Sequence, residues 1–477
     1  MTNQEESKIH IGKDPIYDAR PLGFLKQGTL GFQHMFAMFG ATVLVPTLTG
    51  LSVSATLLFA GIGTLLFHLI SGGKVPAFLG SSFAFLGGYF AIAPMLEDPA
   101  TGLFNIPNKE MLPYACFGVM CAGLLYFVLA ALFKAFGAER VMRFFPPIVT
   151  GPIIICIGLT LSSSAIANCS ANWGIALIAI VVVIFCNIWG KGMINILPIL
   201  LGVIVSYLVA VCCGMVDFTP VKEASWLGLP FQMSDTVFSL VGRADHGVLI
   251  TSIITIMPIA LATMIEHIGD MCAISSTCNR NYIANPGLHR TLAGDGLATT
   301  LASVFGAPAN TTYGENTGVL VLTKVYDPRV IRIAAVLAII FSFCPKFAAL
   351  VSCMPTATIG GVSLVLYGMI SAVGVRNVVE NKVDFTKSRN VIIAALIMVL
   401  SIGIAYSTAG NVSFVIGQVT ISFTGLAVGA IMGILLNAVL PGNDYQFGTD
   451  LQGDTSVNFG VGGNSPEKSK KPHRKRK

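Results

Sequence analysis

The chain has 477 residues, of which 54% are hydrophobic and only 11% charged. A soluble domain carries about 25% charged residues, and a chain with a mean hydropathy of +0.77 could not cover its own surface with polar groups, which excludes a cytosolic enzyme built around a large core. The formal charge of +6 is local, because residues 467–477 hold seven basic groups and one acid and leave the body with 22 of each sign. A tail of that kind reads as a solvated cytoplasmic end or a weak contact with anionic membrane lipid, and no nucleic-acid partner is expected. The 11 cysteines are scattered through apolar segments without a CxxC pair, so they read as small core residues, neither a disulfide framework nor a metal site.

In chain order, residues 1–27 are polar, show no signal-peptide pattern and are expected to form a cytoplasmic N-terminus. Apolar runs of about 20 residues follow, the length a helix needs to cross a hydrocarbon layer of about 30 Å. Fourteen spans are expected: 28–49, 54–72, 76–95, 112–134, 146–166, 172–190, 194–215, 247–275, 291–305, 310–325, 330–351, 354–374, 390–407 and 413–440. With both termini inside, the inside loops hold fourteen Lys and Arg and the outside loops four, the asymmetry expected of a protein in the cytoplasmic membrane. The predicted fold class is therefore an all-α polytopic membrane protein.

A faint repeat runs through these spans. Span five opens on Phe145-Pro146-Pro147 with Gly151 following, and span twelve on Met354-Pro355 with Gly360-Gly361 following; each is fifth in a seven-span unit. Span three carries Pro76 and then Gly80-Ser81-Ser82-Phe83, while span ten is preceded by Gly306-Ala307-Pro308 and opens on Asn310-Thr311-Thr312-Tyr313-Gly314. Both third-span segments are too polar and too rich in Gly and β-branched residues for a plain lipid-facing helix. Short β-strand breaks leading into half-helices fit better, and such breaks at matching positions point to a shared midplane site; the alternative is two packed helices kinked by Gly and Pro.

Ionisable groups inside the spans are functional candidates, because a charge in hydrocarbon costs about 3 kcal/mol or more. The informative ones are His34, Glu266, His267, Asp270, Asp295 and Glu315. Glu266 and Asp270 share one helix face, with His267 rotated about 100° away. Glu315 opens a half-helix whose free N–H groups suit an anionic or polar ligand. Two carboxylates facing a strand break can accept hydrogen bonds from a flat ligand rich in N–H donors, and they can also be protonated, as a proton-coupled carrier requires. The plainer alternatives are packing hydrogen bonds for Glu266, Glu315, Asp270 and His34, and a helix-start cap for Asp295 in Gly294-Asp295-Gly296. No GxSxG, HExxH or paired aspartates lie inside the spans, which argues against an intramembrane enzyme.

QHMFAMFGATVLVP (33–46), GSSFAF (80–85), EHIGD (266–270) and NTTYGENTGVLVLTK (310–324) stand in an order that resembles the nucleobase:cation symporters, also called nucleobase-ascorbate transporters, and within them the uracil-carrying branch. The resemblance runs from about Leu25 to Leu440. Its signature, an acid or amide followed by Asn-x-Gly and then Thr-Lys, is met by Glu315, Asn316, Gly318, Thr323 and Lys324.

The resemblance implies two inverted seven-span repeats. They would form a core domain (28–135 and 247–351) and a gate domain (136–216 and 354–440), with an extracellular loop at 217–246 and a basic cytoplasmic tail at 441–477. It implies that Glu266 and Glu315 hold uracil and that the backbone near Ser82, Phe83 and Gly314 meets the ring carbonyls. Ala41, Tyr313 and Tyr367 would shape the pocket, and His34, Asp270 and Asp295 would couple the proton. No organic cofactor is implied, Na⁺ is the other coupling ion open to such a carrier, and the gate domain could pair in a homodimer. One departure matters: Asp270 stands where some uracil carriers have a second His, and a Gly-Asp pair there also occurs in purine carriers, which keeps xanthine or urate open as the alternative cargo.

Overall fold

The structure is a computed structural model that describes residues 11–97, 99, 104–416 and 419–442. A turn at Arg20–Leu22 runs directly into α1 (Gly23–Thr49), which thus starts before the expected span. Ser52 caps α2 (Val53–Ile70) by accepting from the Ala55 amide. The third apolar run is not a continuous helix: strand β1 (Leu79–Ser81) leads into the short α3 (Leu86–Ile92). A small ladder of β2 (Leu96–Glu97) and β3 (Phe104–Ile106) precedes α4 (Leu112–Phe136).

Helices α5 (Pro147–Ser170), α6 (Trp173–Ile188) and α7 (Pro198–Cys212) follow. Two of them open on Pro, whose missing N–H costs nothing in a first turn. Only single turns occupy the stretch before Asp245, which caps α8 (His246–Ile256) by accepting from the Gly247 and Val248 amides. The expected span 247–275 is met by one crossing segment, His246–Thr277, which passes through a short turn at Met257-Pro258, and α9 (Ile259–Cys278) carries its second part. Next come α10 (Leu288–Val304), β4 (Asn310–Thr312) and α11 (Gly314–Thr323), a second strand and half-helix.

The expected span 330–351 is two helices, α12 (Pro328–Ser342) and α13 (Pro345–Ser352), which turn by 87° where Pro345 interrupts the ladder. Long α14 (Thr356–Glu380) and α15 (Ser388–Ala405) complete the bundle up to its final run. There the expected span 413–440 needs correction. Its first half is an antiparallel ladder of β5 (Asn411–Ile416) and β6 (Val419–Thr424), and helix α16 (Gly425–Val439) begins only afterwards. The alternation of Val412, Phe414 and Ile416 with smaller residues is a strand period inside an apolar composition.

Among the described residues, seven helices are long and apolar enough to cross a membrane, or eight if the bent pair counts as one. Helix α6 exposes Trp173, Leu177, Val181, Ile184 and Ile188 along one side. A contiguous apolar stripe of that kind is stable only against lipid or protein. The basic tail from residue 443 onward lies outside the described residues.

Candidate functional site

The two strand breaks pair with each other. β1 and β4 run antiparallel in the register Leu79↔Thr312, Gly80↔Thr311 and Ser81↔Asn310. The ladder is prolonged by the Ser82 amide on the Ala309 carbonyl and the Tyr313 amide on the Phe78 carbonyl, each at 2.9 Å. Non-helical backbone deep in a bundle survives only where protein supplies its missing partners. Here α1, α2 and α10 do so. Thr64 Oγ1 accepts from the Leu79 amide at 2.9 Å, and Thr299 Oγ1 donates to the Asn310 carbonyl at 2.8 Å.

Pro46 in α1 has no N–H to give the Thr42 carbonyl, and Ser81 Oγ donates to that carbonyl at 2.8 Å. Asn310 Nδ2 donates to the Phe59 carbonyl of α2 at 2.6 Å. Gly63 permits that approach, since a Cβ there would stand 2.1 Å from the amide nitrogen. Tyr313 folds back over Gly80, and its hydroxyl donates to the Ser81 carbonyl at 2.8 Å.

Beside this ladder lies a cavity of ≈ 240 Å³. One wall is α9, which presents Glu266, Gly269, Asp270 and Ala273, and Gly314 at the start of α11 closes that side. The opposite wall is apolar, with Ile154 of α5 and Leu366, Met369, Ile370 and Val373 of α14, and Arg376 and Asn377 stand at its end. The i, i+3, i+4 and i+7 spacing of 266, 269, 270 and 273 therefore turns two acids and two small residues onto one surface.

The expected residues fall into three groups. Glu266, Asp270 and Gly314 line the cavity, and Glu315 follows Gly314 in the first turn of α11 with its side chain outside the described residues. Ala41, Phe83, Tyr313 and Tyr367 are buried together in one apolar cluster, where the Phe83 and Tyr367 rings meet at 5.9 Å. Ser82 is buried at the end of the ladder.

His34 meets none of the carboxylates in the described contacts. Asn316 Nδ2 lies 3.1 Å from the His34 carbonyl oxygen and 3.3 Å from its Nδ1, which ties α11 to α1. Thr323 finishes α11, donating back to the Val319 carbonyl at 2.8 Å, and Gly318 is exposed on the same helix. Asp295 stands well inside α10, so the helix-start cap does not describe it.

His267, an ionisable candidate in the sequence to which spacing assigns no role, has its partners on other elements. Its Nδ1 lies 3.3 Å from Asp295 Oδ2 and 3.2 Å from Thr312 Oγ1, and the Thr312 hydroxyl donates to Asp270 Oδ2 at 3.3 Å. The ionisable character of His267 inside a span marks it as a candidate, but its role is not local, because its partners lie 28 and 45 positions away in sequence.

The far end of α11 is held by residues 11–22. The Gly12 amide donates to the Thr323 carbonyl at 2.9 Å, the Ile16 amide to the Lys324 carbonyl at 2.8 Å, and the Ala19 amide to Asp327 Oδ2 at 2.7 Å. In this clasp the Arg20 guanidinium, hydrogen-bonded to Asp18, holds that carboxyl down at about 2.

Apolar helices around broken strands and an acid-lined cavity define a polytopic membrane protein of the transporter class. The transmembrane domain of the cyanobacterial bicarbonate transporter BicA shares the fold, with a TM-score of 0.58 at 16% identity over 81% of this chain and 97% of that one. Residues 25–410 match the Permease family model, and the chain belongs to that family. It is 41% identical to the uracil permease of Bacillus caldolyticus over 425 residues, 87% of this chain and 92% of that protein. It is 35% identical to the uracil permease of Escherichia coli K12 over 421 residues, 86% and 90% of the two chains.

Proposed function

We propose that this permease brings uracil across the cytoplasmic membrane together with a proton. The observation that carries the reading is Glu266 on the cavity wall beside Gly314, in a chain 41% identical to a uracil permease over 87% of its length. Uracil offers two N–H donors and two carbonyl acceptors. Carboxylates of Glu266 and Glu315 accept from the N–H edge, and main-chain amides near Phe83 and Gly314 donate to the carbonyls. No covalent bond of the cargo changes, so the protein acts as a carrier and not as an enzyme, with the proton as coupling ion and no organic cofactor.

In this reading fourteen spans form two inverted repeats. The antiparallel ladder, whose register is symmetric about Gly80 and Thr311, is the meeting point of their third members. The core (28–135 and 247–351) carries Glu266 and Gly314, the gate (136–216 and 354–440) carries the apolar wall, and the cavity between them is where alternating access operates. Both termini are cytoplasmic, 217–246 is extracellular, and two gate domains pair in a homodimer.

Asp270 on the cavity wall favours a second cargo, xanthine or urate, because it adds an acceptor beside Glu266. Competition separates the two: labelled uracil uptake that survives an excess of xanthine supports the first reading, and uptake that xanthine abolishes supports the second.

A further inference from the structure

We infer that His267 and Asp295 form the proton-carrying pair of this symporter, wired to the cavity through the Thr312 hydroxyl and Asp270. The inference rests on the proton-symport reading above and adds to it a residue and a route. The pair is fully buried, with both side chains at 0% exposure. His267 Nδ1 hydrogen-bonds Thr312 Oγ1 at 3.2 Å and stands 3.3 Å from Asp295 Oδ2, an ion-pair distance at which no hydrogen bond is formed, and the Thr312 hydroxyl reaches Asp270 Oδ2 at 3.3 Å. Asp270 is the member of this chain that lines the cavity.

A neutral imidazole beside an ionised carboxylate leaves one uncompensated charge in a dry interior, and one added proton cancels it. The His267 Nε2 atom is buried without a hydrogen-bond partner among the described residues, so the exchangeable side of the ring is Nδ1. Loading is a shift along the chain. A proton from cavity water forms an O–H bond on Asp270; Asp270 gives it to Thr312 Oγ1 as the Thr312 hydroxyl proton passes to the free lone pair of Nδ1, and the neutral ring, already carrying its proton on Nε2, becomes an imidazolium beside the Asp295 carboxylate. Asp270 and the Thr312 oxygen each take one proton and give one, His267 ends charged against the Asp295 carboxylate, and release reverses the order.

Among the described residues, Tyr126 of α4 is the titratable neighbour that interacts with both Asp295 and Glu266, and its hydroxyl donates to Thr263 Oγ1 at 2.6 Å. His68 is turned away, with Nε2 donating to the Ala77 carbonyl at 3.0 Å, and Phe67 stands edge-on to His267 at 6.3 Å.

The test uses the full-length protein in liposomes, with two readouts: exchange of labelled for unlabelled uracil without a gradient, and accumulation under an imposed gradient of one pH unit. With one proton per uracil, one unit sustains about tenfold accumulation in the wild type. Asp295→Asn, His267→Gln and Thr312→Val are expected to exchange uracil but to reach an internal-to-external ratio of about one, while Thr312→Ser, which keeps the hydroxyl, accumulates as the wild type does. Wild-type accumulation in Thr312→Val and Asp295→Asn overturns the inference, as does an equal loss of both readouts in all variants including Thr312→Ser. Wild-type protein that exchanges uracil without accumulating it refutes the proton-symport reading itself, and the pair falls with it.

Discussion

The ring of Phe83, just past strand β1, stands edge-on to the ring of Tyr367 on α14, with centroids 5.9 Å apart and planes at 74°. Both residues are buried, and their contact joins the strand break to the helix that forms the apolar wall of the cavity. A displacement of α14 against the strands must part these rings.

Edge-to-face pairs contribute about 0.5–1.5 kcal/mol beyond the area they bury. Phe83→Ala and Tyr367→Ala are therefore expected to be non-additive, with a coupling of about 1 kcal/mol in a double-mutant cycle of thermal stability in detergent. Strict additivity would show that the contact carries no energy of its own.

Glu266→Gln keeps the shape of the cavity wall and removes one negative charge. A hydrogen bond to a charged group is worth about 1.5–3 kcal/mol, so uracil affinity should fall by roughly tenfold to a hundredfold while insertion is unchanged. Isothermal titration of the purified variant gives the number directly. The sequence neighbour His267 faces away from the cavity, and His267→Gln should leave uracil affinity within about threefold of the wild type.

Gly80→Ala places a Cβ 2.6 Å from Tyr313 Cε2 and 2.7 Å from Thr42 Oγ1. The ring is fixed by the bond from its hydroxyl to the Ser81 carbonyl at 2.8 Å, so it has little room to retreat. Overpacking of this kind costs about 1–3 kcal/mol. A lowered melting temperature together with lost transport is expected, and Gly318→Ala, at an open position on α11, serves as the silent control.

Much of this arrangement was legible in the residues, and the reasons differ from element to element. The breaks at 79–81 and 310–312 announced themselves because Gly, Pro and β-branched residues interrupt an otherwise helical composition. The shared face of Glu266 and Asp270 followed from helical spacing alone. The ladder at 411–424 was missed because length and apolarity were read ahead of its period of two. The 87° turn before Pro345 was missed because a proline inside an apolar run is compatible with both a kink and a stop. The His267–Asp295 pair could not be read at all, since it depends on how α9 packs against α10 and no local pattern encodes that distance.

Asn316 donates to both the carbonyl and the ring nitrogen of His34. Asn316→Ala leaves buried acceptors unpaired at a cost of about 1–3 kcal/mol. His34→Ala in the same background should then cost much less than it does alone, which a double-mutant cycle of thermal unfolding measures.

Asp18 has a depressed carboxyl value of about 2, set first by its hydrogen bond to Arg20. Its contribution is therefore present above the unfolded value of about 3.9 and is lost as pH falls through about 2. Between about pH 5 and 8 the clasp keeps its charge, so Asp18→Asn should leave the pH profile of transport unchanged in that range. An altered profile would place the clasp in the coupling machinery.

The most direct test of the whole account is uptake of labelled uracil into vesicles containing the purified protein, with and without an imposed pH gradient. The account predicts accumulation above the external concentration that collapses when an uncoupler is added. Uptake of xanthine or urate in place of uracil, or uracil entry that never exceeds the external concentration under any pH gradient, would contradict it.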